Sequence, residues 1–282
     1  MSSTDSSSVA GAQLEVADIM RGLYGDGIVA CRGAFSRALI AGLRADIDAL
    51  FAEALARPGG ALNRGPNRYY VEVHPERLRA FVEIASHPWV TQVCRAVLGP
   101  DYRIVEVGFD VPGPGAMHQP WHRDFEAPPE TVKGRRLSSL AFNITTVDVT
   151  EDMGPFAIAP GTQWDVFDGD PMFPGQALWP RYQALAQRKL PKVGDISARS
   201  ALTIHRGTAN QSDQSRPVLV LGADAPDATN AIKHDLQMSR AFHEGLPDEL
   251  RRHLHCRLVD RLEPITQAHT IEGLKMGVTM GA

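Results

Sequence analysis

The sequence predicts a mainly β domain with flanking α-helices, a sandwich or barrel rather than a parallel α/β sheet. Beyond Asp101 short apolar runs alternate with Pro and Gly punctuation, at residues 102–111, 137–149, 156–159, 201–205 and 218–222. Before Asp101 the apolar residues recur at helical spacing instead. No GxGxxG follows a strand, and neither a phosphate loop nor an internal repeat is present.

Each element has its own signal. Residues 1–13 are small and polar with no apolar period and read as a disordered tail. A short helix is expected over 14–23, and Gly27-Ile28-Val29-Ala30-Cys31 reads as a brief buried strand. Ser36 suits the N-cap of the clearest helix, whose apolar positions are Leu39, Ile40, Leu43, Ile47, Leu50 and Phe51. Residues 59–68, rich in Gly, Asn and Pro, read as a loop. Tyr69 and Tyr70 after it either form a lid over a pocket or begin a strand. A helical stretch over 78–98 is broken near Pro88 and stopped by Gly99-Pro100. The β-rich half follows, and a last helical region is expected over 247–260, with Asp248 and Glu249 near its start. Residues 14–282 form one domain on this reading.

Composition narrows the function classes. Hydrophobic residues make up 43% of the 282, enough for a sizeable core. A formal net charge of −4 argues against a general nucleic-acid binder. The local run Lys133, Arg135 and Arg136 reads as a solvated loop. Cys31, Cys94 and Cys256 lack CxxC or zinc-type spacing and read as reduced, buried thiols. The N-terminus lacks the basic start and apolar run of a secretory signal, and no segment approaches the ~20 apolar residues of a membrane span. A cytoplasmic location without membrane or nucleic-acid partners is expected.

Ten histidines are present, most without a neighbour at metal-ligand spacing. His74, His87, His234, His243 and His269 fall in this group. His253 and His255 lie two apart in an expected helix, point apart, and suit surface or capping roles. His122-Arg123-Asp124 differs, because on an extended strand residues i and i+2 project to one face. An imidazole and a carboxylate then supply two members of a 2-His-1-carboxylate facial triad for Fe(II). His205 closes the apolar run Ala201-Leu202-Thr203-Ile204 and is the candidate for the third. Arg216 precedes Pro217 and the strand Val218-Leu219-Val220-Leu221. It is either a surface residue at a strand start or an inward fork suited to the distal carboxylate of 2-oxoglutarate. A rival zinc pair, His118 and His122 at i, i+4, needs a helix that Pro112, Pro114 and Pro120 preclude.

Four segments together resemble the phytanoyl-CoA dioxygenase family of iron/2-oxoglutarate oxygenases. They are Gly25-Asp26-Gly27-Ile28-Val29-Ala30-Cys31-Arg32-Gly33 with the long helix after it, Gln119-Pro120-Trp121-His122-Arg123-Asp124, the stretch from Asp152-Met153-Gly154-Pro155 to Pro160-Gly161-Thr162, and His205-Arg206-Gly207-Thr208-Ala209-Asn210-Gln211-Ser212 with Arg216-Pro217. The resemblance spans residues 14–222. It implies a double-stranded β-helix (jelly roll, cupin-like) flanked by helices, with Fe(II) held by His122, Asp124 and His205. It also implies oxidative decarboxylation of 2-oxoglutarate to succinate and CO2, coupled to oxidation of a small-molecule substrate by dioxygen. Arg216 is then the partner of the co-substrate carboxylate. Thr208 is its helper or only a turn hydroxyl, and Gln119 either contacts the ligands or holds a strand edge. Trp121, Phe125 and Phe142 are candidates for the pocket wall, with core packing favoured for each.

Thr162-Gln163 departs from the Ser-His usual in the family, which puts local structure or substrate choice in question rather than iron binding. Family halogenases lack the iron carboxylate. Asp124 is present here, so hydroxylation is expected over halogenation. The same site can also desaturate, epimerise or cyclise, and a non-catalytic small-ligand binder on the same barrel is the alternative from another class.

Overall fold

The structure is a computed structural model that describes residues 16–126 and 129–267. Helix α1 (Val16–Arg21) runs into a π turn, Gly22–Asp26, and then strand β1 (Ile28–Cys31). Helix α2 (Arg37–Leu55) starts where expected, the Ser36 hydroxyl accepting the Leu39 N–H at 3.1 Å. Its Ile40, Leu43, Ile47 and Leu50 are buried. Strands β2 (Leu62–Asn63) and β3 (Arg68–Glu72) pair antiparallel, so the two tyrosines lie in a strand, Tyr70 buried and Tyr69 against Phe51 at 5.5 Å. The next helical stretch breaks at Pro88 into α3 (Phe81–Ala85) and α4 (Pro88–Leu98), and the His87 ring accepts the Trp89 N–H at the second start. Proline suits the first turn because its missing N–H has no helical partner there.

Then come β4 (Arg103–Pro112), α5 (Pro129–Gly134), β5 (Ser139–Thr145), β6 (Phe156–Ile158), α6 (Trp179–Leu185) and β7 (Gln187–Lys189). Strands β8 (Ile196–Ser200), β9 (His205–Gly207) and β10 (Val218–Asp224) complete the core. Strand β11 (Gln237–Ser239), helices α7 (Arg240–Glu244) and α8 (Asp248–Arg252), and strand β12 (Arg257–Val259) follow. The large sheet has the order β1-β8-β5-β10-β4-β3-β2 and the small one β7-β6-β9, all antiparallel. From β5 onward the chain passes repeatedly between the sheets, the winding of a double-stranded β-helix.

Strand periodicity divides the large sheet's two faces. Phe109, Phe142 and Leu221 join the main hydrophobic core with residues of α2 and α4, and rings from the helices meet them edge-on, Phe51 on Phe109 at 6.4 Å and Trp89 on Phe142 at 6.1 Å. Arg68, Asp110, Asn143 and Val220, on the opposite parity, face a cavity between the sheets.

Several expectations need correction. Residues 201–204 are a buried turn rather than a strand, and β9 begins at His205. The Thr203 N–H returns to the Ser200 carbonyl at 3.2 Å, and the run is apolar because it crosses the interior between sheets. The last helix stops at Arg252, and residues 257–259 pair in parallel with β11 instead. His253 caps that helix but is buried, stacked on Tyr102 at 3.8 Å. All three cysteines are free, Cys31 and Cys94 buried and Cys256 half-buried. Arg136 in the basic run forms an exposed ion pair with Asp227. The tail expected over 1–13 and His269 lie outside the described residues. Among those described, no helix is long and apolar enough to cross a membrane.

Candidate metal centre

The segment carrying His122 lies against β9 as an added antiparallel strand. The His122 N–H donates to the His205 carbonyl at 3.0 Å and the His205 N–H returns to His122 at 2.9 Å. This reciprocal pair places the two imidazoles side by side, ring centroids 4.3 Å apart. Two residues on, the Asp124 N–H bonds the Ala201 carbonyl at 2.9 Å and its carboxylate turns to the same point. One ligand atom from each of His122, Asp124 and His205 lies within 4.8 Å of the others, a span that two metal–ligand bonds of about 2.0–2.4 Å can bridge.

The donor chemistry fits Fe(II). Nδ1 of His122 lies 2.8 Å from the Pro120 carbonyl and Nδ1 of His205 lies 2.9 Å from the Thr203 carbonyl. A carbonyl only accepts, so each Nδ1 carries the hydrogen and each Nε2 keeps its lone pair. Burial depresses the His122 pKa well below its usual value and also lowers that of His205. Both rings are therefore neutral. Burial alone would raise the Asp124 carboxyl, but the Arg199 guanidinium outweighs it and holds Asp124 well below its usual range. Arg199 bonds Oδ2 of Asp124, leaving Oδ1 facing His205 Nε2 at 3.4 Å. Two neutral imidazoles and one carboxylate are the facial-triad set, which leaves the opposite side of the ion open. The rings of Phe156, 5.2 Å from His205, and Phe173, 5.8 Å from His122, hold the imidazoles in place.

The triad opens into a cavity of ≈ 660 Å³. Arg216 and Gln119 are among the residues that line it. Arg216 is buried, its Nε donating to the Met153 carbonyl at 3.2 Å, and burial together with the neighbouring Arg68 lowers its pKa to about 10. Gly154 makes that contact possible. It sits at φ 69°, where a Cβ would come within 2.6 Å of the Thr208 carbonyl. Gln119 accepts the Gly207 N–H at 2.8 Å through Oε1. Thr208 is outside the lining, its hydroxyl donating to the Pro155 carbonyl at 2.7 Å. Trp121 and Phe142 are core residues and Phe125 is half-buried; none of the three lines the cavity.

Thr162 and Gln163 are structural. The Thr162 hydroxyl donates to the Ala159 carbonyl and accepts the Ile204 N–H, while the Gln163 amide reaches the carbonyls of Leu23, Tyr24 and Gly25. They tie the first turn of the chain to the small sheet.

Sequence reasoning missed Arg199, Asn143 and the ion pair Arg68–Asp110 (2.7 Å, both buried). Asn143 and Asp110 sit at inward parity in strands that were anticipated, so alternation could have found them. Arg199 lies on β8, whose Ile-Ser-Ala-Arg-Ser pattern is too polar to announce a strand.

The sequence profile of the phytanoyl-CoA dioxygenase family matches residues 23–218. No curated protein sequence matches this one. Among solved structures, the epimerase SnoN in complex with Fe3+, alpha ketoglutarate and nogalamycin RO is 17% identical, with 74% of this chain and 83% of that chain covered at a TM-score of 0.60. The alpha ketoglutarate-dependent carbocyclase SnoK from nogalamycin biosynthesis is 20% identical, with 78% and 87% covered and a TM-score of 0.60. EctD from S. alaskensis, solved with 2-oxoglutarate and 5-hydroxyectoine, is 17% identical, with 78% and 79% covered and a TM-score of 0.60. At these identities the likeness is one of fold.

Proposed function

The chain belongs to the phytanoyl-CoA dioxygenase family, and from that premise we propose that it is an Fe(II)- and 2-oxoglutarate-dependent dioxygenase that hydroxylates a small molecule. The observation that carries this reading is the convergence of His122, Asp124 and His205 on one point of a cavity that also holds the buried cation Arg216.

His122, Asp124 and His205 are the Fe(II) ligands in this assignment. Their tautomers and charge are set before any ion arrives, by the carbonyls of Pro120 and Thr203 and by Arg199. Arg216 binds the far carboxylate of 2-oxoglutarate. A guanidinium held away from water gains about 1.5–3 kcal/mol from a charge-assisted bond to such a group. Gln119 lines the same cavity, where it would contact the co-substrate, and fixes the strand edge through Gly207. Thr208 helps indirectly, holding the Pro155 turn that presents the Met153 carbonyl to Arg216. When bound, iron and 2-oxoglutarate supply the activation of dioxygen, the co-substrate leaving as succinate and CO2. The protein's own part is to hold the ligands neutral or anionic as required, orient the keto acid, and close the triad behind Phe156 and Phe173. Hydroxylation is the proposed outcome because Asp124 supplies the carboxylate that the family's halogenases lack. Epimerisation, cyclisation or desaturation on the same site is the second reading, since solved proteins of this fold carry the names epimerase and carbocyclase. A negative net charge supports a reading without nucleic-acid partners.

Anaerobic addition of Fe(II) and then 2-oxoglutarate is expected to give the weak visible charge-transfer band of a chelated keto acid. The band disappears in His122→Ala and weakens in Arg216→Ala. Its absence from iron-loaded wild-type protein overturns the assignment in favour of a ligand-binding jelly roll.

A further inference from the structure

We propose that the end of the cavity opposite Arg216 is an anion-binding subsite built around Lys189, and that the substrate is therefore an organic anion, a carboxylate or phosphate ester on an apolar body. The inference rests on the oxygenase reading for what happens to that substrate, but its geometry is separate.

The sheet order sets the two ends apart. Arg216, Arg68 and Asp110 belong to the side formed by β10, β3 and β4. Strand β7 is an edge of the small sheet and β1 an edge of the large one, and residues of both line the other end. Lys189 on β7 stands directly across from Phe156 on β6, so the two side chains share a face. The Phe156 ring is 5.2 Å from the His205 imidazole. Lys189 thus lies one side chain away from the metal ligands, on the flank away from the co-substrate arginine.

Its surroundings leave a charge to be answered. Lys189 is half-buried, and its amine donates to the Gln187 side chain at 2.8 Å without any ion-pair partner among the described residues. Burial lowers its pKa, offset in part by Asp26. The mouth around it adds Arg32 and Lys192, both exposed, while Arg188 alternates to the other face of β7. Arg188 pairs with Glu151 at 3.1 Å, an exposed contact of little strength. The one carboxylate lining this end, Asp195, is held by backbone, Oδ1 accepting the Gly33 N–H and Oδ2 the Lys192 N–H, each at 2.9 Å. Glu151 answers Arg188 and Asp26 offsets part of Lys189, so that Lys189, Arg32 and Lys192 against the single lining carboxylate Asp195 leave this end positive inside low-dielectric walls.

Apolar groups stand between these cations and the triad side. Ile28 and Val29 of β1 line the wall with Pro191 and with Leu190, which is 41% exposed. An exposed leucine beside a lysine with no ion pair among the described residues suits a ligand with a charged head and an apolar body. The cavity volume of ≈ 660 Å³ falls within the range of about 300–1,000 Å³ for small-molecule pockets. It has room for a keto acid and a modest substrate together, not for a macromolecule.

The test is calorimetric titration of the Fe(II)- and 2-oxoglutarate-loaded protein, kept anaerobic, with octanoate, octyl phosphate and uncharged octanol. The anion is expected to bind about 10–100-fold more tightly than octanol, the gain of a charge-assisted hydrogen bond. Whichever of octanoate and octyl phosphate binds more tightly identifies the head group. Lys189→Met loses the advantage and Lys189→Arg keeps most of it, while the keto-acid band of both variants stays at wild-type strength. Octanol binding as tightly as the anions, binding of none of the three, or full anion affinity in Lys189→Met overturns the proposal. An anion preference without the keto-acid band leaves the subsite standing and removes the oxygenase reading. The band without the preference sinks the subsite alone.

Discussion

Replacing Gly207 by alanine tests whether the co-substrate end of the cavity is held as the structure describes. Gly207 sits on β9 with no side chain, and the Arg68 guanidinium occupies the space beside it. A Cβ there would lie 1.9 Å from Arg68 Nη1. The guanidinium must retreat by about 1.5 Å to reach ordinary contact. An exposed arginine would do so at little cost. Arg68 is 6% exposed and grips Asp110 with two bonds, Nε to Oδ1 at 3.1 Å and Nη2 to Oδ2 at 2.7 Å. Displacement breaks or bends both and leaves Asp110 partly unpaired in the interior. The expected loss lies between overpacking and the breaking of a buried pair, about 2–4 kcal/mol. Urea unfolding reads it as a lower midpoint at unchanged slope. Calorimetry reads a parallel loss of 2-oxoglutarate affinity, because Arg68 is a second cation lining the cavity that holds Arg216. In an Arg68→Ala background the same Gly207→Ala change should cost less than about 0.5 kcal/mol, since the colliding group is gone. A single variant within about 0.5 kcal/mol of wild type, with normal keto-acid affinity, would refute the reasoning.

Arg199→Ala removes the guanidinium that fixes one oxygen of Asp124. Fe(II) affinity should fall about 10–100-fold, as is usual when a ligand loses its outer hydrogen-bond partner. A wild-type dissociation constant in a metal-competition titration would mean that the arginine does not orient the ligand. Asp224 gives a pH prediction. It is 1% exposed, and burial raises its carboxyl from 3.8 to about 6 against the opposing hydrogen bond from Ser139 and charge of His234. Between those pH values the folded protein keeps a proton that the unfolded chain has lost, so stability falls as pH rises through the window, by up to about 3 kcal/mol. Asp224→Asn should gain that amount relative to wild type near neutrality and lose the advantage below pH 3.8. Unfolding midpoints that stay parallel for the two proteins across this range would contradict it.

Much of the site was legible because it depends on short-range geometry. The i, i+2 spacing of His122 and Asp124 puts both on one face of any extended segment, and the prolines before them exclude a helix. The Ser36 cap, the break at Pro88 and the alternation in β4, β5 and β10 are likewise local effects that survive into the fold. Where local signals mislead, tertiary contacts had overridden them. The apolar run 201–204 is hydrophobic because it crosses between two sheets, and hydrophobicity alone does not tell a buried turn from a strand. The helix expected to reach residue 260 stops at 252 because residues 257–259 find a strand partner in β11. Strands β7 and β8, which supply Lys189 and Arg199, are too polar to be read as strands and exist through their pairing partners.

The division between the two sources of information follows from range. By itself the sequence pointed to a β-core with flanking helices and to His122, Asp124 and His205 as candidate ligands. Only the tertiary structure decided that Arg199 clamps Asp124, that Arg68 is locked on Asp110 beside Arg216, and that Thr208 and Gln163 serve the backbone rather than the cavity. These contacts join residues tens of positions apart whose meeting depends on which strands the two sheets place opposite one another. A side chain's hydrogen-bond partner is fixed by that arrangement, and no local periodicity encodes it.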